Sequence, residues 1–389
     1  MSQVAIAAEE LARDAVDCLP AGELARMLAI GRPLRVKLGI DPTAPDIHLG
    51  HTVVLTKLRA FQDAGHTVVL IIGDYTARVG DPSGRSSTRP QLSDEQIDAN
   101  ARTFQEQAFK VLDPDRVELR HNSEWLDMKM HELFALLRTT TVGALLERDD
   151  FARRRAAQVP ISMLELLYPL MQGYDSVAVR SDVELGGTDQ KFNLLLGRDI
   201  QRAYGMPEQA ILTMPILVGT DGRRKMSKSL GNQIGVTDPP GEMYGKTLSV
   251  PDTALDEYYR LLLGRPPPGD LVARDAKRLL ARELVARFHS PDAADLAEAE
   301  FDRVHVGGGE PDEIDDFPVV PDEDGVVHMP AVIADAFGIS RSEARRLLSQ
   351  GAVHLAGGRL DDLDVDPERI DGRVLRVGRR HFRRLRVAR

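Results

Sequence analysis

The chain has 389 residues, of which 42% are hydrophobic and 28% charged, with a formal net charge of −10 and a single cysteine, Cys18. That composition is globular rather than disordered, leaves room for two or three domains, and excludes both an intrachain disulfide and a cysteine-built zinc site. No run is long enough to span a bilayer, and Met1 to Pro20 reads as an acidic amphipathic helix rather than a basic leader, so the expected compartment is the cytoplasm.

Pro33 to Ile40 reads as a buried strand, followed by the loop Asp41-Pro42-Thr43-Ala44-Pro45-Asp46-Ile47. The loop delivers His48-Leu49-Gly50-His51 to the start of a helix whose apolar positions Val54, Leu58 and Phe61 fall on one face, with Gly65 as its stop. Thr67 to Ile72 is a continuous apolar run, as a parallel strand covered on both sides requires. At the strand–helix junction free backbone N–H groups favour an anion, Gly50 leaves room for one, and two imidazoles can donate to phosphate oxygens.

Residues from about 100 to 160 read as a helical insertion carrying Trp125 and the charged stretch Glu147 to Arg155. In Tyr168-Pro169-Leu170-Met171-Gln172-Gly173-Tyr174-Asp175, the polar groups Tyr168, Gln172 and Asp175 share one helical face, which suits a zwitterion. Gly186-Gly187-Thr188-Asp189-Gln190 follows a short strand and opens a helix, with Asp189 suited to accept from ribose hydroxyls. Ile211 to Val218 reads as a further strand and Asp221-Gly222 as a turn. The loop beyond presents Arg223, Arg224, Lys225 and Lys228, with the pentad Lys225-Met226-Ser227-Lys228-Ser229 at its centre. Lysines on such a loop can neutralise charge that develops on a leaving polyphosphate.

From Asp238 to about Val306 the pattern is helical, with apolar stripes at Leu255, Tyr258, Tyr259, Leu262 and at Leu279, Leu280, Leu284, Val285. Residues 307–327 hold eight acidic residues and no basic one before His328, and read as a self-repelling linker. Residues 328–389 carry 13 arginines against 8 acidic residues, which is +5 and leaves −15 for the remainder. There Met329-Pro330 opens a helix. Ser340 and Glu343 form a capping-box pattern for the next one, Gly351 ends it, and Ala352 to Leu355 alternates as a strand. Basic charge is thus gathered where an RNA would be met.

Two polyphosphate-handling elements this far apart, His48 to His51 and Lys225 to Ser229, resemble the paired motifs of class I aminoacyl-tRNA synthetases. Together with Gly80-Asp81-Pro82-Ser83-Gly84, Tyr168 to Asp175 and Gly186 to Gln190, the chain is similar to tyrosyl-tRNA synthetases. That resemblance implies an α/β fold: a Rossmann-like parallel-sheet catalytic domain over 1–235 with its helical insertion. An α-helical anticodon-side domain (236–306), the acidic linker (307–327) and a small α+β RNA-binding module (328–389), shared with a ribosomal small-subunit protein, would follow. It implies that L-tyrosine is activated with ATP, which carries Mg2+ so that no dedicated protein metal site is needed, and is transferred to tRNA(Tyr) by a homodimer. Carried over by position, His48, His51, Lys225 and Lys228 would be catalytic, and Gly39, Thr43, Gly187 and Asp189 would join them in holding ATP. Asp81, Tyr168 and Gln172 would hold the substrate ammonium, Asp175 the phenol, Gln190 the carboxylate, with Thr76 nearby, and Arg341, Arg345 and Arg346 would meet RNA. One position departs from the family: Lys37 stands where many members have a second tyrosine facing the phenol, and is expected either to line the pocket or to reach solvent. A tryptophanyl synthetase, a small-molecule adenylyltransferase and a non-catalytic RNA-binding protein are the rival readings.

Overall fold

The computed structural model describes residues 2–43, 46–82, 92–306, 314–322, 324–378 and 381–388. Its contacts divide the chain into two compact units, Met1–Leu284 and Val285–Arg389.

The first unit is built on a six-stranded sheet: β1 (Asp17–Leu19), β2 (Arg35–Ile40), β3 (Thr67–Ile72), β4 (Val117–His121), β5 (Val183–Gly187) and β6 (Ala210–Met214), in the order β1-β6-β5-β2-β3-β4. Five strands are parallel and β1 runs antiparallel along β6. The apolar runs anticipated for β2 and β3 are buried because helices cover both faces of a parallel sheet. β6 is shorter than the expected 211–218, since Pro215 has no N–H to offer the ladder.

The expected helical insertion needs correction. Val117–His121 inside it is a strand, pairing with β3 from Val68↔Val117 to Ile72↔His121, and its half-polar composition suits an edge rather than a doubly covered centre. Helices Ser123–Leu126, Met130–Leu137, Val142–Leu146 and Asp149–Ala156 then fill the rest of that segment. Tyr258 and Tyr259, both fully buried, anchor helix Leu255–Leu263 in the same unit, and the Tyr258 hydroxyl donates to the Val218 carbonyl at 2.7 Å.

Strand order reverses at β2, which has β3 on one side and β5 on the other. In an open parallel sheet the crevice at such a switch point, outside the carboxyl ends of the strands, is where ligands bind. Every residue singled out in the first unit except Lys37 and those on helix Met163–Ala178 lies at or beyond a carboxyl end. Thr43 and His48 follow β2, Thr76 and Asp81 follow β3, and Asp189 and Gln190 follow β5. Helix Met163–Ala178, capped by Ser162, packs along Lys191–Ala203.

The second unit carries helix Pro291–Phe301 and a five-stranded sheet. Its strands are β7 (Asp316–Val319), β9 (Val353–Leu355), β10 (Gly358–Arg359), β12 (Val374–Val377) and β13 (His381–Val387), in the order β10-β9-β12-β13-β7. A two-stranded ribbon of β8 (Val327–His328) and β11 (Asp364–Val365) completes it. Helices Met329–Phe337 and Arg341–Ser349 supply Ile333, Ala344 and Leu348 to one core with Val353, Leu375 and Leu385. Within the acidic stretch, 307–313 and 323 lie outside the described residues, while Asp316–Val319 is ordered as β7, parallel to β13 with Arg386 paired to Asp316 at 3.0 Å. Ser340 caps its helix as expected, but Glu343 turns to Arg346 rather than to the cap backbone.

Gly173 sits against the 191–203 helix: an added Cβ would lie 2.5 Å from Ile200 Cδ1 and 3.3 Å from the Gly197 Cα. Gly173→Ala should therefore cost about 1–3 kcal/mol by overpacking. Thermal or urea unfolding will show it, with Ile200→Val restoring part of the loss.

Candidate active site

The loop after β2 ends in a short backbone ribbon. Leu49 N–H donates to the Ile234 carbonyl (2.9 Å) and Val236 N–H to the Ile47 carbonyl (3.0 Å), so His48 is bridged to Gly235, just beyond the lysine loop. The two distant sequence elements are thereby one local structure. His48 is the N-cap of helix Leu49–Asp63, and its backbone N–H donates to His51 Nδ1 at 3.3 Å. The two rings stack at 3.9 Å. Burial, and then the neighbouring His51, hold the His48 imidazolium far below its ordinary range, and burial brings His51 down to about 4. Both are neutral at physiological pH, so each ring offers one N–H rather than a full charge. A Cβ at Gly50 would stand 3.0 Å from the His48 ring, so the clearance expected for a phosphate serves the imidazole as well.

The basic loop is held from within by Asn232, whose side chain accepts from Ser227 N–H (2.9 Å) and donates to the Lys225 carbonyl (3.1 Å). Met226 is buried, which turns Lys225 and Lys228 outward, each about half exposed. Lys225 Nζ stands 3.5 Å from Asp189, and Lys228 is paired with Asp46. Both ammonium groups are thus parked on carboxylates at the crevice, placed to exchange those partners for an anionic ligand. Gly187 cannot carry a side chain without meeting Asp189 Oδ1 at 2.8 Å, whereas Gly39 is exposed with open space before its Cα, and Thr43 is half-buried in the loop.

Beyond this basic loop, a polar pocket is built on helix Met163–Ala178. Tyr168 donates to Asp41 Oδ2 (2.8 Å), Thr76 to Asp41 Oδ1 (2.7 Å), and Asn122 Nδ2 to Thr76 Oγ1 (2.9 Å). Gly73 makes this possible, because a Cβ there would fall 2.2 Å from Asp41 Oδ1. On the other flank Gln190 donates to Asp81 Oδ2 (2.7 Å), and Asn193 Nδ2 donates to both Gln172 (2.8 Å) and Gln190 (3.1 Å). Arg148, itself buried, stands 3.7 Å from Asp81, donates to Asn193 and clamps Asp150. Ser83 and Gly84 of the expected turn lie outside the described residues.

Asp175 is buried, only 3% exposed, and its Oδ1 accepts from the Trp125 indole at 2.8 Å. Burial pushes its carboxyl up to about 7, against the opposing Lys37 ammonium and the Trp125 hydrogen bond. Lys37 does not reach solvent. It is fully buried and donates to Gln172 O (3.0 Å), Ser176 Oγ (2.8 Å) and Glu184 Oε1 (2.8 Å). Asp41, Asn122, Trp125, Arg148, Glu184 and Asn193 escaped the reading of the sequence as site residues; Asp41, at the head of the loop before His48, and Glu184 and Asn193, which flank Gly186 to Gln190, stand close enough to a motif to have been found.

In the second unit Arg341, Arg345 and Arg346 are exposed. Arg346 is paired with Glu343, and Arg345 approaches His328 at 3.5 Å, which in turn meets Asp364 at 2.6 Å.

The raised Asp175 pKa carries a stability consequence. Between about pH 4 and 7 the native carboxyl holds a proton that the unfolded chain has lost, so its burial costs more as pH rises. Asp175→Asn should unfold later than the parent at pH 8, by on the order of 2–4 kcal/mol, and at about the same point at pH 4. Thermal melts of the two proteins at the two pH values check this.

A family described as class I tRNA synthetases (W and Y) matches residues 29–305. A tyrosine–tRNA ligase of Moorella thermoacetica is 52% identical over 93% of this chain and 90% of its own length, and one of Thermotoga maritima is 51% identical over 96% of each. Among solved structures, a C-terminally truncated mitochondrial tyrosyl-tRNA synthetase of Aspergillus nidulans superposes with a TM-score of 0.65 at 23% identity, covering 78% of this chain and 94% of its own. The Archaeoglobus fulgidus tyrosyl-tRNA synthetase bound to L-tyrosine gives 0.63 at 23% identity, over 76% and 99%, and at that distance both speak for the fold alone. With its parallel sheet, its paired histidine and lysine elements and relatives matched over nearly their whole length, the chain belongs to the class I tRNA synthetases, in the tyrosyl group of the tryptophan and tyrosine family.

Proposed function

We propose that the chain activates L-tyrosine with ATP and esterifies it to the 3′ end of tRNA(Tyr), with the side chains at the carboxyl edge of the sheet in the following roles. The observation that carries this reading is the juxtaposition of a carboxylate pocket (Asp41 and Asp81 half-buried, Asp175 buried) with an anion site made of two neutral imidazoles and two parked lysines. The first suits an ammonium and a phenol, the second a polyphosphate.

The tyrosine ammonium is held by Asp81, Tyr168 and Gln172, with Asp41 fixing the Tyr168 hydroxyl. The phenol donates to Asp175, and Gln190 lies beside the carboxylate. A phenylalanine ring would leave Asp175 without that donor, and an unpaired buried polar group is costly. A tryptophan would bring an indole N–H where Trp125 already presents one. Gly39, Thr43, Gly187 and Asp189 receive ATP, whose Mg2+ arrives with it. The tyrosine carboxylate oxygen attacks the α-phosphorus as the bond to the bridging oxygen breaks, giving tyrosyl-adenylate and pyrophosphate. His48 and His51 donate to the phosphates, while Lys225 and Lys228 leave Asp189 and Asp46 for the departing pyrophosphate. A terminal ribose hydroxyl of the tRNA then attacks the acyl carbon and AMP leaves. No protein nucleophile is needed, so rate comes from positioning and electrostatics. Arg341, Arg345 and Arg346 meet RNA backbone in the second unit, and the reaction belongs in the cytoplasm with its tRNA.

A homodimer is part of the proposal. Met130, Phe134, Val142 and Met163, on three helices of the 123–178 segment, are 63%, 50%, 55% and 72% exposed, an apolar surface that a second copy would cover.

Amino-acid-dependent ATP–pyrophosphate exchange should run with tyrosine and not with tryptophan or phenylalanine; exchange with tryptophan alone would discard the Asp175 assignment. Lys228→Ala should lower the exchange rate about 100-fold or more with little change in the KM for tyrosine, as expected for a contact made only in the transition state. Phe134→Glu should shift the chain from dimer to monomer in sedimentation, with its secondary structure unchanged.

A further inference from the structure

Lys37 and Glu184 are register partners on β2 and β5, so their side chains stand side by side on one face of the sheet, 0% and 2% exposed. An ammonium has three N–H groups, and all three are taken here: by Glu184, by Ser176 Oγ and by the Gln172 carbonyl. Ser176 Oγ in turn donates to Glu184 Oε2 at 3.1 Å, and Gln209 donates to that same oxygen. Two of the three acceptors, Gln172 and Ser176, bracket Asp175 on its helix. A buried ion pair is costly to desolvate and adds little stability over a neutral pair of the same shape, so packing alone does not account for it. What it supplies is a positive centre whose field reaches the Asp175 carboxylate. The groups that face Asp175 are Lys37 and Glu184 from the sheet, the Trp125 indole and Asn122 amide from the segment after β4, and Tyr168 from its own helix.

We propose that Lys37 is a positioning residue for the phenol site: saturated by three protein acceptors, it makes no contact with substrate, but fixes residues 172–176 against β2 and favours the ionised form of Asp175, which accepts the phenol hydroxyl. The inference rests on the assignment of Asp175 to the phenol. Of the pair, Lys37 dominates at Asp175, its ammonium opposing burial more strongly than the Glu184 carboxylate reinforces it.

The test is the pH dependence of the KM for tyrosine in ATP–pyrophosphate exchange, from pH 5.5 to 8.5, for the parent and for Lys37→Met combined with Glu184→Gln, which removes both charges together. In the parent, KM for tyrosine should rise as pH falls through the ionisation of Asp175. In the double variant that rise should move to higher pH by about one unit, making KM for tyrosine at pH 7 up to about tenfold higher. The KM for ATP should stay put. A merely structural pair would lower the melting temperature and leave the pH profile where it was, and an unmoved profile overturns the proposal. Should the double variant not fold, a crystal structure of the parent with tyrosine bound decides: Lys37 Nζ within hydrogen-bond distance of the phenol oxygen overturns it, and Nζ still on its three protein acceptors supports it. A parent without tyrosine-dependent exchange at any pH would instead remove the functional reading, and with it this inference.

Discussion

One carboxylate holds the site together. Asp41, just past β2, accepts from Thr76 in the turn after β3 and from Tyr168 on the helix that crosses the sheet, and Asn122 after β4 completes the chain through Thr76. Three strand ends and one helix are thereby fixed to each other by hydrogen bonds a few ångströms from where ligands enter a sheet of this kind. The arrangement depends on an absence, since Gly73 must lack a Cβ for Asp41 and Thr76 to meet. Because the bonds are largely screened from water, losing any one leaves a polar group unsatisfied, and the rigidity they confer is what preorganised catalysis requires.

The two halves of the site contrast in how they hold charge. On the 163–178 helix side the charges named are buried and committed: Lys37 to Glu184, Arg148 to Asp150, Asp175 to Trp125. The anion side is wet, with Lys225 and Lys228 half exposed on carboxylates that solvent already screens. Exchanging an exposed partner costs little, whereas exchanging a buried one costs several kcal/mol. In the proposed reaction, recognition of the amino acid falls to the buried half and handling of the leaving group to the exposed one.

What could be read from the sequence was whatever is local in the chain. The histidines sit on a strand–loop–helix junction, the lysines in one pentad, and Tyr168, Gln172 and Asp175 on one helical face, so spacing alone brings them forward. Partners contributed from far along the chain were invisible: Trp125 lies 50 residues from Asp175, and Glu184 meets Lys37 only because β5 lies beside β2. The same applies to β4, whose Val-Glu-Leu-Arg-His reads as surface helix or loop until its position at the sheet edge explains its polarity. Lys37 shows the cost of reading residues singly, since a lone strand lysine points to solvent or substrate, and only its three acceptors reveal a buried strut.

The backbone ribbon joining residues 47–49 to 234–236 turns the lysine loop into a lever with a fixed fulcrum. Its root is anchored to the residue that caps the histidine helix, so the lysine loop and the imidazoles share one support. Gly231, at φ +64°, stands between that anchor and the lysines and takes the left-handed conformation that glycine adopts without strain. In the proposed reaction the length of chain between that anchor and Lys228, and not its charge alone, bounds how far the ammonium can follow a departing pyrophosphate.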